Sequence, residues 1–425
     1  MAERRARSIL KTDNLIKILD KLLEWSLYIM VFALPFSKSI IEICVSAGLV
    51  LLIAKKVILK NYRLPDTPAN LPLLFIFITA AISLINSQYL DLSLRALISK
   101  NLKFIALFFI VVETIDNRTK IMNFLKMGLL SAIIVFADTL VQYFITHTDP
   151  IHNYLAFKHV SNIFVNSRGK IYFEYFIGYP TGPFPYPNDL SAWLLIVMPI
   201  LLFVSLFDLK NKLSRYPIMA LSFLGIYIFV LAKARGAWCA FTLAMLSLVF
   251  LVKKKSMVFL ILAVMLIIMI FSFANSLNAV FGFTSLMDRG DMWTNGVKIF
   301  KEHPVIGNGI NTFFNKYRYT RTDKDRGRGS YAHNCYLQMA ADVGILGLAT
   351  FLWFVFCIIR NILRYLRYSV DGFYRPVVLG LLIGLTSFLI HSLVDTNLYS
   401  LNLASFFWLT AGFSIAIIKV AESKT

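Results

Sequence analysis

The stretch Tyr331-Ala-His-Asn-Cys-Tyr-Leu-Gln-Met-Ala-Ala-Asp-Val-Gly-Ile-Leu-Gly347 closes a long polar connection and opens an apolar run that continues to residue 363. About 20 apolar residues suffice for a helix to cross a bilayer, so His333 and Asn334 stand where such a helix meets water. An imidazole at that boundary is a candidate acid or base. His333, Leu337, Ala340 or Ala341, Gly344 and Gly347 fall at helical spacing. They are expected to share one stripe, whose small residues permit close approach of a neighbouring helix.

Outward from this stretch the chain repeats the same alternation of apolar run and short polar connection. Of 425 residues, 58% are hydrophobic and 16% charged, against roughly 45–50% and about 25% in soluble domains. Apolar runs lie near 22–36, 40–59, 71–86, 102–115, 121–145, 189–207, 217–232, 237–252, 256–274, 343–363, 375–394 and 400–418. The expected fold is all-α: a polytopic transmembrane helical protein of about twelve spans. Residues 1–274 then carry nine spans and an outer loop near 146–188. Residues 275–342 form a large outer loop containing helices, and 343–425 carry the last three spans. No internal repeat and no low-complexity tract is present.

Basic residues collect at the N-terminus (Arg4, Arg5, Arg7, Lys11, Lys17, Lys21) and in alternate connections, such as Lys55, Lys56, Lys60 and Arg63, Arg118 and Lys120, or Lys253–Lys255. Loops rich in Lys and Arg stay cytoplasmic, which puts both termini inside and both long loops outside. The net charge of +20 is thereby accounted for without a nucleic-acid partner; membrane lipids are the expected surroundings. Met1–Lys21 is basic and polar with no small-residue cleavage site after it, so the first span is expected to be retained. Cys44, Cys239 and Cys357 lie in apolar runs and Cys335 near polar sequence. They suggest neither a disulfide framework nor a thiolate metal site.

Further candidates follow from charges where the topology does not ask for them. Lys233 and Arg235 interrupt two apolar runs on the outer side, and charges near the membrane are read first as functional; snorkelling is the plainer alternative. Asp288–Phe300 reads as a helix capped by Asp288, with Arg289 in its first turn and Arg289, Trp293, Gly296 or Val297, and Phe300 on one face. A helix N-terminus favours anions, and the planar fork of an added Arg pairs with two phosphate oxygens. Pro304 ends that helix, and Gly307 and Gly309 mark a turn. Pro180, Pro183, Pro185 and Pro187 stiffen the first long loop, after which Asn188 or Asp189 is expected to cap the next span. The basic tract within Tyr317–Arg328 is either a solvated face or an attractor for anionic glycolipid. His391 and Asp395 are spaced i, i+4, which suggests that they orient each other.

With these residues together, the chain resembles the bacterial O-antigen ligase/polymerase superfamily, and within it the ligases. Gly182-Pro-Phe-Pro-Tyr-Pro-Asn188 is similar to the family's Gly-x-Phe-x-x-Pro-Asn element. Ala234-Arg-Gly-Ala-Trp238 resembles its Ser-Arg-Gly-Ala element, with Ala234 in place of Ser. Arg289-x-x-x-Trp293 followed by His303-Pro-Val-Ile-Gly-Asn-Gly309 resembles its Arg-helix-Pro-x-x-Gly-x-Gly element. His333-Asn334 with Gly344-x-x-Gly347 matches the ligase signature, although Asp342 stands where Glu is common. The resemblance implies an enzyme of the bacterial inner membrane with a periplasmic site. It would transfer glycan from undecaprenyl pyrophosphate to a sugar hydroxyl of lipid A–core, with inversion and without metal or other cofactor. It implies His333 as the base and Arg235 and Arg289 as pyrophosphate ligands. Asn334, Trp293, Asn188, Lys233, His391 and Asp395 are supporting candidates. An O-antigen polymerase, a protein O-oligosaccharyltransferase and a lipid-linked glycan transporter are the alternatives. Transporters usually show paired repeats and broken mid-membrane helices, and the sequence shows neither.

Overall fold

A computed structural model describes residues 2–146, 160–165, 171–175, 179–207, 212–248, 280–320, 331–369 and 372–423. Every apolar run coincides with a helix except 256–274, which lies outside the described residues. The helices are α1 (Ala2–Ala33), α2 (Lys38–Ile58), α3 (Asn70–Ile82), α4 (Leu90–Ala96), α5 (Lys103–Thr114), α6 (Arg118–Val141), α7 (Pro187–Phe207), α8 (Lys212–Leu231), α9 (Arg235–Leu248), α10 (Val280–Glu302), α11 (Phe313–Thr320), α12 (Cys335–Tyr368), α13 (Tyr374–His391) and α14 (Leu401–Glu422). Among the described residues five helical stretches are long and apolar enough to cross a membrane: Arg118–Thr146, Pro187–Leu206, α12, α13 and α14. The all-α expectation needs one amendment. The first long loop contains a short antiparallel pair, β1 (Val160–Val165) with β2 (Ile171–Tyr175); both segments are rich in the β-branched and aromatic residues that strands favour.

The chain folds as two compact units. The first comprises Met1–Met127, Ala279–Val378 and Ser392–Thr425; the second comprises Gly128–Asn278 and Leu379–His391. In the first unit α1 packs on α2, α5 on α14, and α3 on α12. Aromatic rings fill the space between them: Phe124 stacks on Phe413 at 4.2 Å, and Phe354 meets Trp408 at 4.8 Å. Ion pairs tie the helix ends: Lys55–Asp20 at 2.6 Å, Lys56–Glu113 at 3.4 Å, Lys120–Glu24 at 3.1 Å and Lys103–Glu42 at 2.5 Å. The first three join residues that the charge reading puts inside, and the last joins two that it puts outside. Part-exposed pairs contribute about 0–1 kcal/mol each, so they register the helices more than they stabilise them.

In the second unit α7 packs on α8 and α9. The proline-rich segment before α7 is pinned by Gln142, whose Oε1 accepts from the backbone N–H of Thr181 at 2.8 Å and of Gly182 at 3.0 Å. The cap expected at Asn188 or Asp189 is displaced. α7 begins at Pro187, so both residues sit in its first turn. Proline suits the first helical position because its missing N–H would be unpaired there anyway.

Candidate active site

The turn that carries His333 is built by its neighbours. Asn334 is the N-cap of α12, its side-chain oxygen accepting from the N–H groups of Tyr336 at 3.1 Å and Leu337 at 3.0 Å. Asparagine caps well because it satisfies N–H groups that a helix start leaves unpaired. His333 lies one residue before this cap, in the left-handed region with φ 47°. It is therefore not on the helical stripe that its spacing suggested. A non-glycine residue in that region costs on the order of 1–3 kcal/mol and persists only where its surroundings enforce it. Here the enforcement comes from Cys335. Its N–H donates to the Ser392 carbonyl at 2.8 Å and its thiol to the Asp395 carbonyl at 3.1 Å.

That anchoring brings the imidazole beside a carboxylate. His333 Nδ1 lies 3.5 Å from Asp395 Oδ1; the carboxylate side chain is 8% exposed and the imidazole 31%. At 3.5 Å this is an electrostatic contact rather than a closed hydrogen bond, as is common before substrate tightens a site. A carboxylate at Nδ1 favours the tautomer with the proton on that nitrogen and leaves Nε2 as the acceptor. His391 is the last residue of α13, so Asp395 lies beyond the helix end and the i, i+4 spacing of the two is not a helical one. His391 itself is buried in the second unit.

A second correction concerns α10. It begins at Val280, well before Asp288. Val280-Phe-Gly-Phe-Thr-Ser-Leu-Met287 contains no proline to delay the start. Asp288 is thus not its cap, and Arg289 lies in the body of the helix, where the free N–H groups of a helix start are absent. The shared face survives. Gly296 packs against Leu337, to which a Cβ would come within 2.8 Å, and near Ala332 at 3.8 Å. Met292, Ile299, Phe313, Tyr317, Ala332 and Ala341 form one apolar cluster, with Phe300 against it. α10 is thereby fixed against the turn that holds His333. Arg289 stands two helical turns before Gly296 on the same side, with Trp293 between them. Both are half-buried, and the indole N–H of Trp293 is buried without a hydrogen-bond partner.

The turn after α10 is grafted onto a break in α12, which the sequence reading did not anticipate. At Gly344 the helix opens, with φ 71° and ψ −179°. The freed groups pair with the turn: Asn308 N–H donates to the Ala341 carbonyl at 3.0 Å, Gly309 N–H to Asp342 at 2.9 Å, Ile345 N–H to Pro304 at 2.9 Å and Leu346 N–H to Val305 at 3.3 Å. Asp342 Oδ1 accepts from the N–H groups of Thr312 and Phe313 at 3.1 and 2.8 Å, capping α11. Lys316, itself buried, is held by Glu302 and by Asn308 Oδ1. The signal that marks this graft is the paired spacing of Gly307 and Gly309 with Gly344. Gly307 has φ 78°, and a Cβ there would strike the backbone of Asp342 and Gly344. Gly307→Val is therefore expected to destabilise by roughly 3 kcal/mol and to lower the apparent Tm of the detergent-purified protein by several degrees. Gly290→Ala, in open space on α10, is expected to leave Tm unchanged or raise it, since alanine favours a helix by roughly 0.5–1 kcal/mol.

In the second unit Arg235 is the first residue of α9. The helix start that the sequence suggested beside Arg289 is thus found at Arg235. Three residues separate α8 from α9. Ala234 accepts from Ala237 and Trp238 N–H at 3.0 and 3.1 Å, and the Trp238 indole donates to the Phe229 carbonyl at 3.0 Å. Lys233 adopts φ 50° and its ammonium lies 4.9 Å over the Tyr179 ring. Arg235 is exposed, and among the described residues neither Arg235 nor Arg289 is engaged by a carboxylate. Asn188 is half-buried in the first turn of α7. Of the basic tract, Arg318 is exposed, and 321–330 lie outside the described residues.

Residues 220–352 match the family model described as O-antigen ligase. The chain carries the domain shared by the O-antigen ligase/polymerase superfamily. No curated protein matches the chain in sequence. The O-antigen ligase segment contains Arg235, Arg289, Trp293, His333 and Asn334, and stops before His391 and Asp395. The matched segment and the apolar helices liken the chain to membrane glycosyltransferases of the O-antigen ligase/polymerase type. Asp395, outside the matched segment, joins the site only through the fold.

Proposed function

We propose that the protein is the ligase of this superfamily, transferring O-antigen glycan from undecaprenyl pyrophosphate to a sugar hydroxyl of lipid A–core. In this reading it has twelve spans in the bacterial inner membrane, both termini in the cytoplasm and its site on the periplasmic side. The observation that carries it is the carboxylate-backed imidazole of His333 at the start of α12. His333 Nε2 accepts the proton of the acceptor hydroxyl as that oxygen attacks the anomeric carbon. The bond from this carbon to the pyrophosphate oxygen breaks, and undecaprenyl pyrophosphate leaves with the electron pair. Arg235 and Arg289 are assigned to the charge that grows on the leaving group. One displacement inverts the anomeric carbon, and no nucleotide, metal or covalent glycosyl-enzyme is called for.

Asp395 is a positioning residue in this scheme. Its loss removes a charge-assisted contact of about 1.5–3 kcal/mol, about 10–100-fold in rate. Asp395→Asn is expected to lower kcat by that factor at unchanged KM, and Asp395→Glu to recover part of it. A purely structural role would instead reduce the folded yield of both variants alike. The proposal as a whole is tested by reconstituting the purified protein with undecaprenyl-pyrophosphate glycan and lipid A–core and reading the anomeric configuration of the product. Inversion is expected. Retention would remove the single-displacement scheme, and movement of lipid-linked glycan across the vesicle without transfer would replace the enzyme by a transporter.

A further inference from the structure

The first unit encloses a cavity of about 200 Å³ whose lining changes character along its length. Lys100, Asn101, Asn311, Tyr399 and Ser400 form one part of the wall. All lie in connections just before α5, α11 or α14, on the side read as outer. Phe104, Phe351, Ala404 and Trp408 form another part, from within α5, α12 and α14. Trp408 lies seven residues into α14, roughly 10 Å along it. A wall that is polar at the helix starts and apolar deeper along the helices has the polarity profile of a membrane amphiphile. The volume falls below the roughly 300–1,000 Å³ of sites for whole drug-sized ligands, too small for a lipid-linked glycan or a whole acyl chain but with room for a short hydrocarbon segment. Phe104, Met339 and Leu401 in the wall are only half-buried, so the cavity is not sealed.

The polar end carries a cation. Lys100 donates to Asn311 Oδ1 at 2.6 Å, and burial lowers its pKa while the nearby Asp342 carboxylate raises it. One donor of three is spent on Asn311, which leaves the ammonium with capacity for phosphate oxygens. Asn101 Oδ1 is buried without a partner and calls for a donor. A cation beside a free acceptor matches a zwitterionic head better than an anionic one, since the phosphate meets Lys100 and the amine supplies the donor that Asn101 lacks.

We propose that this cavity is a lipid site, holding the head-proximal segment of one acyl chain of a zwitterionic phospholipid with its phosphate at Lys100 and its amine toward Asn101. The site is separate from the transfer chemistry, although α12 and the segment after Asp395 serve both.

The test uses the full chain with Trp408 as its one tryptophan, the other five changed to phenylalanine, in vesicles containing phosphatidylethanolamine brominated on its acyl chains. Trp408 is 7% exposed, so bulk lipid does not contact it. Its fluorescence is expected to be quenched with saturation at low bromolipid fraction. Lys100→Ala is expected to raise the half-saturating fraction about tenfold, and Ala404→Phe, which fills the cavity, to abolish the saturable phase. Ile76→Phe serves the same purpose on another wall if the first variant does not fold. Brominated diacylglycerol, lacking phosphate and amine, is expected to need at least the fraction that Lys100→Ala needs. Absent or linear, unsaturable quenching, or saturation unchanged by both filling variants, would overturn the site. Equal potency of diacylglycerol would overturn the headgroup assignment.

Discussion

His333→Ala is expected to lower the rate of glycan transfer by about 10²–10⁴-fold, the range that a positioned general base contributes, while the protein remains folded and monodisperse. The reason lies in the geometry of one turn. His333 is held at φ 47° before the Asn334 cap, with Asp395 on its Nδ1 side, and its side chain bears no part of the apolar packing. Removing the ring therefore removes chemistry and relieves an unfavourable backbone position only slightly. Because the base acts on the acceptor hydroxyl in the transition state, kcat falls while KM for the lipid-linked donor stays within about threefold. Measurement of initial rates over a donor series checks this. A His333→Ala protein with near-full kcat would remove the imidazole from the reaction.

The second large effect is expected at the arginines. Arg289→Ala and Arg235→Ala should each lower kcat by about 10²–10³-fold, the loss that follows removal of one donor to developing charge. Neither guanidinium is tied to a carboxylate among the described residues, so neither substitution leaves a buried acid unpaired and both proteins should fold. Arg289→Lys should recover little, since an ammonium cannot pair with two oxygens as the planar fork does. Arg235→Lys should recover more, because the N–H groups at the start of α9 remain to share the anion. If both alanine variants kept more than half of the wild-type kcat, the leaving-group role would be lost to other residues.

The helices were legible in the sequence because the membrane demands long apolar runs, and every run within the described residues is helical. The position of His333 at a helix mouth was legible for the same reason. Three features were not. The break at Gly344 lies inside an apolar period that reads as unbroken helix, and only the graft of residues 304–309 explains it. The start of α10 is set ahead of the local cap signal at Asp288, so the anion-favouring helix start belongs to Arg235 and not Arg289. The contact of Asp395 with His333 depends on Cys335 holding Ser392 and Asp395 across 60 residues of chain. Local periodicity carries no information on such a contact.

The most direct measurement offers purified, reconstituted protein the undecaprenyl-pyrophosphate glycan together with lipid A–core and follows both products by mass. Ligation predicts glycan attached to lipid A–core, free undecaprenyl pyrophosphate in equal amount, and loss of both with His333→Ala. A lengthened lipid-linked glycan with no core-linked product would contradict it.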